Sequence, residues 1–478
     1  MALLSTLPTP HATKSFWLSE LSPSLKGYRS TEVIPDQADI AVVGSGISGT
    51  FAARELLTTA ADQGLKLNVV MFEAREVCSG ATGRMIQNCG IDCDWQPRGA
   101  VTAFFTDDDF ARAIEKLEKS KDDVPEIMGY LRVVTPKSKS PSLRDLGVSK
   151  AKGAILNTLA ASLWPYKLIA RVVEDLIEQH PEFNLQTNTP VQSIEPVAEN
   201  SARSWRLRTS RGNCVVKHVL LATNGYTSHL LPSMKHITQP VRGNMIAGYG
   251  GAELLLKNSY SFVDELTGEE YRDLEHTNQR LIGDGEYLMQ RPLEHQMNGM
   301  DKSPTLALGG ARFMIPDSGY GLSDDSVVDQ QANEFLRGRL SQVLGVVAQA
   351  PDDFKVTHEW TGILGYSKDG SPWIGELQDG LWLCVGYSGH GMPQAALCAV
   401  RVATMILEQF PAFSRNTESQ IQLPTRFLIT PERLKSNGFP NLRTSHLSSQ
   451  GVVWRSWQSG LFLLMALGSW VWHQEFSR

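Results

Sequence analysis

Cysteine is scarce in this sequence. Its 478 residues hold six, Cys78, Cys89, Cys93, Cys214, Cys384 and Cys398, with no paired Cys-x-x-Cys units, which argues against a zinc ribbon or a disulfide-stapled scaffold. Cys89 and Cys93 are the one close pair, and without a second pair of ligands no metal site is expected there. Reduced thiols fit a cytoplasmic protein.

Runs of positive charge are missing too. With a net charge of -6 and no stretch of five or more Lys or Arg, the chain offers no basic face, so no nucleic-acid partner is expected. The opening MALLSTLPTPHATKSFWLSE lacks a basic region followed by a long apolar run and does not read as a secretory signal. Nor is there an uninterrupted apolar span of the ~20 residues that a crossing helix needs. The nearest approach is LFLLMALGSWVW, Leu461 to Trp472, in a region that gathers four of the eleven tryptophans. Three readings stay open for this tail: contact with a membrane interface, which suits indole rings, a helix docked on the protein itself, or a segment that does not fold.

What is present is a globular composition, 42% hydrophobic and 20% charged, at a length that predicts two or three domains. From Ala38 the pattern runs strand, glycine turn, helix, strand: ADIAVV, GSGISG, TFAARELLTTAADQG, LKLNVVMFE. This is a βαβ unit. A second strand-rich group lies between Phe183 and Tyr226, and a third, GLWLCVGYSGHGMPQAALCAVRVATMIL, again joins an apolar strand to a helix through glycines. The expected fold is an α/β, Rossmann-like domain with an inserted α+β domain built mainly on an antiparallel sheet. The expected partition is a leader over 1–37, the first domain over 38–96, 151–226 and 355–408, the second over 97–150 and 227–354, and an extension over 409–478 with an apolar tail at 460–472.

Gly44-Ser45-Gly46-Ile47-Ser48-Gly49 fits G-x-G-x-x-G directly after a strand and at the opening of a helix. The first glycine makes the tight turn, the second admits backbone close to a pyrophosphate, and the third lets the helix pack on the strand. Glu73 ends the next strand, near the ~20-residue distance of the acid that holds a ribose hydroxyl, and its charge disfavours a 2′-phosphate. An adenine dinucleotide is the ligand this pattern predicts. Small residues then follow in Ser79-Gly80-Ala81-Thr82-Gly83-Arg84, ending on a cation suited to phosphate.

With EAREVCSGATGR in place, the sequence resembles the D-amino-acid oxidase superfamily of FAD-dependent oxidoreductases, in particular fungal members similar to gamma-glutamylputrescine oxidase and sarcosine oxidase. HVLLATNGY, EWTGILGYSKDGSPWIGEL and GYSGHGMPQA carry the same resemblance, which spans most of Ala38 to Leu407. It implies FAD as cofactor, held also by Ala74, Arg75, Val191, Ala222, Thr223 and Asn224, with Gly389, His390, Gly391 and Met392 against the flavin ring. It further implies hydride transfer from a C–N bond of a small amine or amino acid, with O2 as the expected acceptor. Tyr287, Arg291 and Arg312 are the substrate-side candidates. For Arg312 a carboxylate clamp and an interdomain salt bridge stand as equal readings, whereas Arg242 reads as structural. His390 is expected to tune the flavin or orient substrate rather than act as a base. Two alternatives stay open, a flavin-dependent tailoring step of fungal secondary metabolism and a degenerate FAD-binding protein. The second draws on the short join Met85 to Gly90, where the resemblance leads one to expect an additional helix covering the substrate side. Oligomeric state is not legible.

Overall fold

The computed structural model describes residues 4–80, 91–121, 125–199, 202–249, 256–264, 286–291, 305–343, 354–414 and 421–437. Two eight-stranded sheets organise them. In chain order the strands are β1 Gln37–Val43, β2 Val69–Phe72, β3 Gln96–Phe104, β4 Leu131–Val134, β5 Gly153–Ser162, β6 Phe183–Gln186, β7 Val191–Glu199 and β8 Ala202–Thr209. They continue with β9 Gly212–Leu221, β10 Thr238–Tyr249, β11 Asn258–Val263, β12 Glu286–Gln290, β13 Thr305–Gly310, β14 Lys355–Ser367, β15 Trp373–Gln378 and β16 Leu381–Val385.

The first sheet has the order β15-β16-β9-β1-β2-β6, with β8 and β7 branching from β9. Its centre, β16-β9-β1-β2-β6, is parallel. Parallel strands are covered on both faces and so read as continuous apolar runs. That is why Ile40, Ala41, Val42 and Val43 are all buried. Ile40 and Val42 pack with the helices Ile47–Asp62, Pro165–Gln179 and Ala395–Leu407, while Ala41 and Val43 pack with Trp205, Cys214 and Trp373 on the other face.

The second sheet runs β14-β10-β13-β12-β11-β3-β5-β4 and is antiparallel except for β11 beside β3. Alternation along its strands divides two environments. Ile246, Leu288, Leu306 and Leu308 enter a core with Ala332 and Leu336 of the Gln330–Val343 helix. Ala247, Met289 and Ala307, one residue along, face the first domain.

The partition by segment needs two corrections. The boundaries expected at 151 and 355 assign β5 and β14 to the cofactor domain, but both pair into the second sheet, β5 with β3 and β14 with β10. Local pattern cannot reveal this, because an apolar strand carries no mark of its partner. The leader does not stand apart either. Thr6 N–H donates to Ser323 Oγ at 3.1 Å and Thr13 N–H to the Asp325 carbonyl at 2.7 Å in the second domain, while Ser30 N–H donates to the Leu185 carbonyl at 2.9 Å in β6, so this segment is laced across both domains. The join at 85–90, Cys89 and the apolar tail lie outside the described residues. Among the described residues no helix is long and apolar enough to cross a membrane.

Candidate active site

Between the sheets lies a cavity of about 1100 Å³. Ordinary small-ligand pockets span about 300–1,000 Å³, so this one has room for an extended ligand.

The glycine loop forms one edge. Gly44 has φ +106°, and a Cβ there would stand 2.8 Å from the Ala222 carbonyl oxygen, while one at Gly49 would stand 1.8 Å from the Gly44 carbonyl oxygen. Only glycine fits either position. The helix that follows is N-capped by Gly46 without a side-chain hydrogen bond and has no acid in its first turn, so its own residues leave its positive end uncapped at the cavity. Glu73 braces the loop, accepting from Ser45 N–H at 3.0 Å and Ser45 Oγ at 2.7 Å through one oxygen and from Arg75 N–H at 2.9 Å through the other.

A second helix begins at the same cavity. The turn after β16 holds Gly386 and Gly389 at φ +81° and Ser388 at φ +51°. It leads to Ala395–Leu407, whose N-cap, Gln394, makes no side-chain capping bond and whose first turn has no acid. Asn224 fixes this turn by accepting from Gly386 N–H at 3.0 Å. His390 is 6% exposed, and its Nδ1 lies 2.8 Å from the Ser388 carbonyl oxygen. A carbonyl only accepts, so Nδ1 carries the proton and Nε2 is left for the cavity that His390 lines.

The structure brings most of the expected cofactor residues to this one cavity. Gly44, Gly46, Ile47 and Ser48 line it, as do Glu73, Ala74, Arg75, Ser79 and Gly80. Val191, Ala222, Thr223 and Asn224 follow, and Gly389, His390, Gly391 and Met392 complete the set. Gly49 sits behind the loop, and Ala81, Thr82 and Arg84 lie outside the described residues. Arg75 lines the cavity, yet its guanidinium is committed to Asp325 Oδ2 at 2.8 Å and the Ser79 carbonyl at 3.0 Å.

On the second sheet, Tyr287 Oη donates to Met245 Sδ at 2.8 Å, and its ring fills the space that a side chain at Gly309 would take. Arg312 is buried and lines the cavity with its guanidinium 4.8 Å from the Tyr366 ring centre. Arg291 does not reach the cavity. Its Nε bonds Asp94 at 2.8 Å and its Nη1 bonds Glu20 at 2.9 Å, and the guanidinium stacks on Trp164, so the substrate role expected for it is replaced by a buried ion cluster shared with Lys167. Arg242 donates to the Asp324 carbonyl at 3.3 Å.

Sequence reasoning missed Tyr387, Asp325 and the N-terminal wall. Tyr387 Oη lies 2.8 Å from Ser48 Oγ and 3.1 Å from Cys384 Sγ. Burial pushes the Tyr387 phenol well up and the Cys384 thiol up to about 11, so both stay neutral and act as hydrogen-bonding struts. Asp325 joins Arg75 to Thr13 and, through its carbonyl, to Thr361 at 3.3 Å. Nothing short-range marks it.

A parallel sheet with a glycine loop, an acid at the end of the next strand and a second helix terminus, closed by a separate sheet, defines a dinucleotide-binding protein. The model of the DAO family, FAD dependent oxidoreductase, matches residues 84–405, and the chain belongs to that family. Gamma-glutamylputrescine oxidoreductase of Escherichia coli is 22% identical over 358 residues, covering 74% of this chain and 71% of the relative. Glycine oxidase from Geobacillus kaustophilus superposes with a TM-score of 0.57 at 16% identity, covering 79% of this chain and 97% of its own. L-Amino acid deaminase from Proteus vulgaris gives 0.58 at 16% identity, covering 84% and 96%. At these identities the solved structures establish the fold. The family is FAD-dependent, and the residues present fit such a group: two helix ends without side-chain caps and the Glu73 carboxylate open onto one cavity with room for a dinucleotide.

Proposed function

We propose that this FAD-dependent oxidoreductase oxidises a C–N bond of an amine or amino acid and uses O2 as the final acceptor. Held by the glycine loop and the two helix ends, FAD would supply a two-electron acceptor for a C–H bond beside nitrogen, and water would convert the imine product to a carbonyl compound and an amine. The chain's own residues supply the setting. The two helix N-termini favour negative charge at the cavity. His390, with Nδ1 held by Ser388, presents Nε2 to orient an amine. Arg312 is placed to meet a substrate carboxylate by paired hydrogen bonds.

The observation that carries this reading is the convergence of the helices Ile47–Asp62 and Ala395–Leu407 on one cavity whose far wall belongs to another sheet. Support also comes from relatives named for an amine conjugate and for amino acids. The test is anaerobic bleaching of the FAD-loaded protein by a panel of amines and amino acids, followed by peroxide release in air. Bleaching by at least one member is expected, and a flavin that no member bleaches contradicts the proposal.

A further inference from the structure

The cavity face of the second sheet bears on the body of the substrate. Across the neighbouring strands β14, β10, β13 and β12 it presents Trp360, Met245, Tyr287 and Met289. On the intervening β13, Gly309 stands between Met245 and Tyr287 and Ala307 between Ala247 and Met289, and Gly310 lines the cavity, so small residues leave room for the larger groups. Trp95 and, from the N-terminal segment, Trp17 line the same space. Thioether and aromatic groups make an adaptable apolar wall.

Charge points the same way. Among the described residues of the second sheet that line the cavity, none is acidic. The acids these strands carry alternate to the other face: Glu286, beside Tyr287, pairs with Arg339, and Glu359, beside Trp360, pairs with Arg337. A second ammonium group lying against this wall would therefore meet no carboxylate among its described residues and would lose hydration without a charged partner there.

We infer that the amine or amino acid this site takes carries a bulky apolar body, preferentially aromatic, and that linear polyamines with a second positive charge are rejected. This rests on the function proposed above. Three probes test it on the FAD-loaded full chain, N-methylbenzylamine, glycine and putrescine, each titrated by tryptophan fluorescence and flavin absorbance and then tested for anaerobic flavin bleaching. The aromatic amine is expected to bind at least about tenfold more tightly than putrescine, a ratio that burial of about two apolar carbons' worth of surface already supplies. Met289→Glu is expected to narrow or invert that ratio, and the wild-type comparison decides the matter if the variant fails to fold. Tighter binding of putrescine or glycine overturns the inference, and bleaching by them alone does so while leaving amine oxidation intact. Tight aromatic binding with no bleaching by any amine sinks the reaction instead and leaves the apolar wall standing.

Discussion

Ser48 Oγ lies 2.8 Å from Tyr387 Oη, which ties the first turn of the Ile47–Asp62 helix to the loop that precedes Ala395–Leu407. The two anion-favouring helix ends, already packed in one apolar core, thus share a buried hydrogen bond at the cavity. Cys384 completes the chain of contacts at 3.1 Å.

Tyr387→Phe keeps the ring in its buried place and removes only that strut. A net loss of about 1 kcal/mol in stability is expected, as for a typical neutral hydrogen bond, with FAD affinity several-fold weaker. Denaturant unfolding and flavin-fluorescence titration read the two effects. An unchanged FAD affinity would show that the bond does not set the site.

Asp325→Ala is expected to cost more. Asp325 is 3% and Arg75 is 9% exposed, so the variant leaves a guanidinium buried without its partner, at about 3–5 kcal/mol. The Thr13 and Thr361 contacts use the Asp325 backbone carbonyl and survive, so limited proteolysis of the N-terminal segment should change little while urea unfolding shifts strongly.

Gly49→Ala tests the loop. Its new methyl would stand 1.8 Å from the Gly44 carbonyl oxygen, and neither backbone can yield without moving the helix end. Purified variant should carry little or no FAD at concentrations that saturate wild type. Gly27→Ala is the contrasting control, because a Cβ there meets nothing within 4 Å although φ is +63°.

Two buried groups give stability opposite slopes with pH. Burial pushes His218 down from 6.5 to about 4, in keeping with Trp382 Nε1 donating to its Nδ1 at 3.3 Å. The unfolded chain binds that proton first, so the His218 contribution is complete above pH ~6.5 and lost as pH falls toward ~4. Burial pushes Glu286 up from 4.5 to about 7 against the pull of Arg339, so its contribution is lost as pH rises across that interval. Subtracting the unfolding free energies of His218→Asn and Glu286→Gln from wild type across this range should give differences of opposite slope, and two flat differences would contradict both assignments.

The parts of the site legible in the sequence are those made by short-range constraint. Gly44 to Gly49, Glu73 and the turn Gly386 to Met392 announce themselves because tight turns demand glycine and because a strand, a turn and a helix follow one another without interruption. Arg291 illustrates the limit: an arginine bound for a cavity and one bound for Glu20 and Asp94 look alike until the fold places the acids. The same holds for β5 and β14, whose sheet is decided by partners far away in sequence, and for Thr13, Trp17 and Asp325, which join the site only through tertiary contact.

The two helix ends, Glu73 and the covering sheet are expected to hold FAD together. The direct measurement is the visible absorption spectrum of the purified protein after incubation with FAD and removal of the free cofactor. A retained flavin band, lost in Gly49→Ala and weakened in Tyr387→Phe, is the result predicted. A folded wild-type protein that stays colourless would contradict it.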